Sequence, residues 1–308
     1  MSTPPVLVAV VGATASGKSD LAVRLAGRLA GEVVNADAMQ LYRGMDIGTA
    51  KLTPHERGGV AHHLLDVLEV SESASVAQYQ TWARDCVHDI WVRHRLPLLV
   101  GGSALYVHAV VDVLDFPATD PRVRADLEAE LAVVGPAAMH ARLAALDPDA
   151  AAAILPSNAR RIVRALEVAE LTGRPFAARL PAPALWHTPT AMIGLHVPRD
   201  VLDERIAVRV ERMFERGLVA EVRTLVGQGL RDGRTASRAL GYAQVLAMLD
   251  GTYTEDEARE RSVAATRRFV RRQEAWLRRD PRVRWLRYDE SDLVERAVSL
   301  VRSVASPS

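Results

Sequence analysis

The chain of 308 residues contains a single cysteine, Cys86, and only two lysines, Lys18 and Lys51. One cysteine excludes a fold stabilised by disulfides within the chain. It is typical of a reducing compartment, so we expect a cytoplasmic protein. The sequence also lacks a run of about 18 apolar residues, and we expect no membrane-spanning helix. With 49% apolar and 25% charged residues, the composition is that of an ordinary globular protein with a substantial core.

Arginine accounts for 37 of the 39 basic residues. The net charge is only +1, yet the segment 259–287 contains 11 arginines and three acidic residues. This basic segment is either a solvated helix face in an arginine-biased chain or a surface that follows the phosphates of a nucleic acid. The composition alone leaves both interpretations open.

Strands and helices alternate in the first hundred residues. The apolar run Val6–Val11 predicts a buried strand, and leucines at fourfold spacing predict a helix over Lys18–Leu29. Further short strands are predicted at Val33–Val34 and Leu98–Val100. This alternation is typical of an α/β fold with a doubly wound parallel sheet, in which ligands bind beyond the carboxyl ends of the strands. The loops that follow these strands are therefore the candidate binding loops.

The pattern changes near Asp115, where alanine-rich helices punctuated by prolines begin. Pro181 and Pro183 predict a connector, and Met192–His196 predicts a return to the sheet. We therefore predict a core domain of residues 1–114 and 186–308 and a helical insertion domain of residues 115–185.

Residues Gly12–Ser19 match the phosphate-binding pattern G-x-x-x-x-G-K-[ST], between a predicted strand and a predicted helix. The glycines allow the backbone to wrap so that successive N–H groups point at phosphate oxygens, and the helix adds its positive end. Lys18 supplies a mobile positive charge, and the Ser19 hydroxyl is a candidate ligand for Mg²⁺. The predicted diphosphate- or nucleotide-binding residues are Gly12, Ala13, Thr14, Ala15, Ser16, Gly17, Lys18 and Ser19.

An acidic residue follows the second predicted strand rather than the third. The third strand ends at Val100 and continues with Gly101-Gly102-Ser103, without the acid that motor-type and switch-type NTPases need. Asp37 instead lies where small-molecule kinases place an acid that binds or deprotonates the acceptor. From the residues alone, Asp37 is either such an acid or the N-cap of a helix.

The segment Asp37–Lys51 and the phosphate-binding pattern together resemble the bacterial type of the tRNA dimethylallyltransferase (tRNA isopentenyltransferase) family. The resemblance runs through nearly the whole chain in order and implies a P-loop NTPase-like core. It continues in His62–Asp66, Gly101–Tyr106, Asn158–Glu167, Arg205–Met213, Leu240–Tyr242 and Thr266–Trp276.

Members of that family transfer a dimethylallyl group from dimethylallyl diphosphate to N6 of the adenosine on the 3′ side of the tRNA anticodon. The resemblance implies these two substrates and Mg²⁺ for this chain, which we expect to be a monomer. By matching position, it implies that Asp37 is the general base and that Thr14 contacts the bridging oxygen of the diphosphate. It also implies that Lys18, Ser19 and Arg209 hold the diphosphate. The implied tRNA contacts are Asp37, Ala38, Met39, Gln40, Ser103, Arg124, Arg160, Arg161, Ile162, Val163 and Arg164.

Several positions carry further expectations. Ala38 and Ala243 lack polar groups that are usual in the family, which leaves the RNA contacts near them open. Lys51 lies in the most family-like stretch, and we expect it to face a ligand. His62 and His63 have no companions at metal-ligand spacing, so we expect structural roles for them.

The alternative functions are prenyl transfer to free adenine nucleotides, small-molecule kinase activity and non-catalytic RNA binding.

Overall fold

The computed structural model describes residues 5–176 and 183–305. The chain divides into two compact units, one of Met1–Val113 with Leu185–Ser308 and the other of Leu114–Ala184. The first unit contains a parallel sheet, and the described elements of the second are helices. Of the predicted connector, residues 181 and 182 lie outside the described ranges.

Six strands form one parallel sheet in the order β3-β2-β4-β1-β5-β6. Every pair of neighbouring strands is parallel, which confirms the prediction of a doubly wound α/β fold. The strands are β1 (Leu7–Val11), β2 (Gly31–Asn35), β3 (His62–His63), β4 (Leu96–Gly101), β5 (Thr190–His196) and β6 (Val283–Arg287).

Helices connect the strands and form the second unit. Within the described residues, no helix combines the length and apolar character needed to cross a bilayer. The helices are α1 (Lys18–Leu29), α2 (Val76–Val92), α3 (Ala104–Val111), α4 (Pro121–Leu146), α5 (Pro148–Ala153), α6 (Ala159–Thr172), α7 (Arg199–Glu215), α8 (Leu218–Val226), α9 (Tyr242–Leu249), α10 (Glu255–Leu277) and α11 (Leu293–Ala305).

Strand β1 lies in the middle of the sheet and is buried on both faces. Leu7 and Val11 pack into a core cluster that includes residues of α2, α3 and α7. Val8 and Val10 point the opposite way, into a cluster built with α1 and α11. Because parallel strands covered by helices on both sides need apolar residues on both sides, β1 reads as a continuous apolar run.

The predicted helix over Lys18–Leu29 is confirmed at both ends. Its leucines at fourfold spacing form the buried side, with Leu21 and Leu25 almost fully covered. Strand β3 was not predicted, because two histidines at the edge of a sheet carry no apolar pattern. Only pairing with β2 makes these two residues a strand.

The helical unit has its own apolar core, to which α4, α5 and α6 all contribute. Helix α4 is interrupted at Gly135, whose φ of 79° lies in the left-handed region, immediately before Pro136. Ile162 and Val163 of α6 lie in this core and are almost fully buried. This burial corrects the expectation for those two side chains, which pack within the unit and do not face a ligand.

Candidate active site

The phosphate-binding loop turns tightly between β1 and α1. Ala15 (φ 64°) and Gly17 (φ 95°) both adopt left-handed backbone conformations, and Gly17 is the residue from which α1 starts. Gly12 lies close to Ser16, since a Cβ there would lie 2.8 Å from the Ser16 hydroxyl oxygen and would force that side chain to move. The loop therefore has the curvature that aims backbone N–H groups and the α1 N-terminus at one point.

A cleft of about 200 Å³ opens at the carboxyl edge of the sheet. The loops after β1 and β2 line it, together with Val100 and Gly101 at the carboxyl end of β4. Helix α7 and the segment 49–65 complete its walls. Its polar and charged lining includes Thr14, Lys18, Ser19, Asp20, Asn35, Asp37, Gln40, His62 and Arg209.

Two cations face this cleft with a carboxylate beside them. Burial lowers the pKa of Lys18 to about 8; the Asp37 carboxylate opposes that shift and the Arg209 guanidinium adds to it. Burial also lowers the pKa of Arg209, again opposed by Asp37. Two desolvated cations that repel each other favour an anionic ligand. A diphosphate between them would offset both the loss of hydration and the mutual repulsion of the two charges.

Asp37 is held by the end of β2. Its backbone N–H donates to Oδ1 of Asn35 at 2.9 Å, and its own Oδ1 accepts from the backbone N–H of Met39 at 2.9 Å. Asn35 is buried and also donates to the carbonyl of Leu64 at 3.0 Å. Asp37 thus stabilises a local turn, as a cap does, while its carboxylate lines the cleft. The first helix after β2 is α2, which begins at Val76, so the interpretation of Asp37 as a helix N-cap is wrong.

Thr14 is anchored at two points. Its hydroxyl oxygen accepts from Nη1 of Arg209 at 3.2 Å, and its backbone N–H donates to Oε1 of Gln273 at 3.0 Å. Gln273 belongs to α10 and also donates to the carbonyl of Gly102 at 2.9 Å. The sequence reasoning missed Gln273. A signal was available in the sequence. Gln273 is an uncharged amide in an arginine-rich helix, and it lies three residues after Val270 and four before Leu277, which places it on their buried side.

The expectation that Lys51 faces a ligand is wrong. Its ammonium is buried and donates to the carbonyl of Tyr42 at 3.0 Å and to carboxylate oxygens of Asp46 and Asp66 at 2.6 Å each. An ammonium has three donors, and here the protein satisfies all three. Lys51 therefore stabilises the folded loop that follows Asp37. It supports the shape of the cleft without lining it.

Glu221 supports the same loop from α8. Its carboxylate accepts from the backbone N–H groups of Asp46, Ile47 and Gly48 at 2.7–3.2 Å, and from the hydroxyl of Tyr242 at 2.5 Å. Gly48 packs against the Tyr242 ring, where a Cβ would lie 2.7 Å from Cζ. Sequence reasoning missed Glu221, because nothing local shows that a carboxylate about 175 residues away will bind three consecutive amides.

The loop after β4 reaches the site through two glycines. A Cβ on Gly101 would clash with the backbone of Ala36, and one on Gly102 would lie 2.7 Å from the carbonyl oxygen of Gly12. The glycines therefore allow the ends of β1, β2 and β4 to converge. Ser103 follows as the half-buried N-cap residue of α3 and is not among the residues that line the cleft.

In the helical unit, two arginines implied as tRNA contacts share a buried partner. Arg124 and Arg164 both bind the carboxylate of Glu167, which is fully buried. Arg164 also donates to the carbonyls of Pro117 and Ala118 at 2.7 and 3.1 Å. These arginines therefore hold the unit together as well as presenting positive charge. Arg160 and Arg161 lie at the surface.

The basic segment 259–287 is divided between ion pairs and exposed cations. Arg259 pairs with acids of α7 and α10, and Arg282 makes a bidentate pair with Asp112. Other arginines recur on the exposed side of α10 and just beyond it, with spacings of three, four and seven residues. They are Arg261, Arg268, Arg271, Arg272 and Arg279.

The histidines of β3 have structural partners. His63 lies 2.7 Å from the buried carboxylate of Glu32, and His62 contacts the carbonyl of Val60 at 2.9 Å. Burial lowers the pKa of His62. Across residues 5–176 and 183–305, no cluster of three or more His, Cys, Asp or Glu side chains is arranged to hold a metal ion.

Comparison with known proteins agrees with this geometry. Residues 40–280 match the IPP transferase family. The chain is 66% identical to a tRNA dimethylallyltransferase of Kineococcus radiotolerans over 305 residues, which cover 96% of each chain. It is 64% identical to the tRNA dimethylallyltransferase of Thermobifida fusca over 300 residues, covering 96% of this chain and 94% of the other.

Solved structures show the same architecture. The tRNA isopentenylpyrophosphate transferase of Bacillus halodurans matches with a TM-score of 0.71 at 41% identity, covering 98% of each chain. A eukaryotic dimethylallyltransferase shares the fold, with a TM-score of 0.79 at 23% identity over 97% of this chain and 79% of the other. These full-length matches show that the chain belongs to the tRNA dimethylallyltransferase family.

Proposed function

We propose that this protein transfers the dimethylallyl group of dimethylallyl diphosphate to N6 of the adenosine on the 3′ side of the tRNA anticodon, releasing diphosphate. The observation that carries the proposal is the position of the Asp37 carboxylate in one cleft with the phosphate-binding loop, Lys18 and Arg209. That cleft supplies a base for the acceptor next to a cradle for the leaving group.

The chemistry needs both parts. An exocyclic adenine amine is a weak nucleophile, because its lone pair is delocalised into the ring. The allylic carbon of the donor tolerates positive charge as its C–O bond breaks, and the departing diphosphate gains negative charge. Lys18, Arg209 and the loop N–H groups offset that charge, and each such contact is typically worth about 3 kcal/mol. Asp37 accepts the proton from N6, so the new C–N bond leaves a neutral secondary amine.

Mg²⁺ fits this site as a partner of the diphosphate. Ser19, Asp20 and Asp37 all line the cleft. Hard oxygen ligands suit Mg²⁺, which normally keeps several waters and relies on substrate phosphates and only one or two protein groups. When bound, the ion neutralises part of the diphosphate charge. Ser19 is the side chain that we assign to hold it.

The positive surfaces supply the RNA-binding part of the proposal. The exposed arginines Arg268, Arg271 and Arg279 of the basic segment have no ion pair with another described side chain, so they are available to phosphates. In the helical unit we assign Arg160 and Arg161 to the same role, with Arg124 and Arg164 presenting their remaining donors. Arginine suits this work, because its planar fork pairs with phosphate and stacks on bases. We further propose that the protein acts as a monomer.

The test is a reaction with a defined substrate. Unmodified tRNA is incubated with the protein, dimethylallyl diphosphate and Mg²⁺, and its nucleosides are analysed by mass spectrometry. We expect dimethylallyl-adenosine at one position and diphosphate release that depends on tRNA. Parallel reactions contain AMP in place of tRNA, or ATP with candidate metabolites. Efficient prenylation of AMP, or phosphate transfer from ATP, would contradict the proposal.

A further inference from the structure

We infer that Gln273 is a positioning residue that holds Thr14 in place for departure of the diphosphate; this inference rests on the proposed function. Gln273 is 5% exposed and lies on the buried side of α10. Its carboxamide oxygen accepts from the Thr14 backbone N–H, while its nitrogen donates to the Gly102 carbonyl. Only a side chain that both donates and accepts makes this bridge.

The bridge leaves little space for movement. A Cβ on Gly102 would clash with the carboxamide of Gln273 and would lie 2.7 Å from the carbonyl oxygen of Gly12, the first residue of the phosphate-binding loop. The loops after β1 and β4 therefore lie close to each other, and the Gln273 side chain contacts both of them. Val270 and Leu277, on the same face of α10, are fully buried and fix the helix beneath it.

Gln273 and Arg209 constrain Thr14 in different ways. Arg209 binds the threonine hydroxyl at 3.2 Å, and in the proposed reaction that guanidinium also attracts the diphosphate. Gln273 binds the Thr14 backbone and is not among the residues that line the cleft. While Arg209 follows the charge of the leaving group, Gln273 therefore remains the fixed anchor that keeps the Thr14 hydroxyl aimed at the bridging oxygen.

A double-mutant cycle tests this coupling. Gln273→Met keeps the length of the side chain and removes both hydrogen bonds. We expect it to lower the single-turnover rate of prenylation about tenfold with little change in the KM for tRNA. In a Thr14→Val background the same substitution is expected to cost less than about threefold, since the hydroxyl that it positions is already absent. Equal losses in the two backgrounds would overturn the inference.

Two further variants separate positioning from general damage. Ser262→Ala is the matched control, because Ser262 is also buried on α10 but its hydroxyl bonds only to the carbonyl of Ala258 within the helix. We expect its rate to stay within about twofold of the unsubstituted protein. Melting temperatures are measured for every variant.

Gln273→Glu gives a pH signature and carries the test if the Met variant does not fold. A buried glutamate has a raised pKa, and its protonated form accepts from Thr14 and donates to Gly102 as the amide does. The rate relative to unsubstituted protein should therefore rise as the pH is lowered from about 8 to about 6. A ratio that is independent of pH contradicts the inference. Lack of product with the unsubstituted chain would instead reject the proposed transfer itself.

Discussion

We expect the low pKa of Lys18 to make the affinity for the prenyl donor depend on pH. Lys18 is charged when its ammonium is protonated, and burial with Arg209 nearby lowers its pKa from 10.5 to about 8 in the free protein. A bound diphosphate favours the protonated form and raises the pKa again. At pH values above the pKa of Lys18 in the free protein, binding of the donor takes up a proton. The affinity for the donor is therefore maximal below about pH 8 and falls as the pH rises.

The size of the effect follows from the titration. With a pKa of about 8, roughly nine-tenths of the Lys18 side chains are charged at pH 7 and roughly one-tenth at pH 9. The dissociation constant of the donor should therefore rise about tenfold between pH 7 and pH 9, which corresponds to about 1.4 kcal/mol. A phosphate monoester has its second pKa near 6, so the charge of the donor changes little over this range.

The assay measures equilibrium binding of dimethylallyl diphosphate from pH 6 to pH 9.5 at constant ionic strength. Lys18→Arg is the control, because guanidinium stays charged throughout; we expect weaker binding at pH 7 and no fall in affinity up to pH 9. A donor affinity that is unchanged between pH 7 and pH 9 in the unsubstituted protein would refute the assignment of Lys18 as a desolvated diphosphate ligand.

Three other substitutions test separate parts of the structure. Asp37→Asn should lower the rate of prenyl transfer by about 10²–10⁴ with an unchanged melting temperature, because asparagine still accepts from the Met39 N–H; single-turnover kinetics and thermal melts measure both. Lys51→Met should destabilise the protein by about 2 kcal/mol in urea titrations, less than for a fully buried pair, because Asp46 and Asp66 are partly exposed and regain water. Donor affinity should stay within about twofold, and a larger loss would restore a ligand role for Lys51. Glu167→Gln should weaken tRNA binding, measured by filter retention, and should destabilise the protein by about 3 kcal/mol. The reason for both effects is that Arg124 and Arg164 lose the negatively charged partner that holds them in place. Unchanged tRNA affinity would confine Glu167 to a role in stability.

Local patterns predicted the catalytic end of the sheet well. The apolar run of β1 and the fourfold leucine spacing of α1 are short-range signals, and both elements form where they were expected. The phosphate-binding loop between them is also local, since its glycines and Lys18 act within eight residues. Asp37 lines the cleft, as predicted from its place after a strand of a parallel sheet, where ligands bind; its role as the general base stays a prediction.

Predictions that depended on distant partners were less successful. Lys51 was expected to face a ligand, but Tyr42, Asp46 and Asp66 surround its ammonium only after the loop folds back on itself. Strand β3 exists only because its two histidines pair with β2. The burial of Ile162 and Val163 is set by the packing of α6 against the other helices of its unit.

The sequence by itself determined the α/β class, the phosphate-binding loop and the family resemblance, because each depends on residue types at fixed short spacing. Only the tertiary structure decided that Gln273 of α10 meets Thr14, 259 residues earlier in the chain, and that Glu221 binds the loop after Asp37. Buried amides and carboxylates must find partners wherever the fold brings backbone groups to them. Those long-range hydrogen bonds have no local signature, and they connect the loops after β1 and β2 to the helices that surround the sheet.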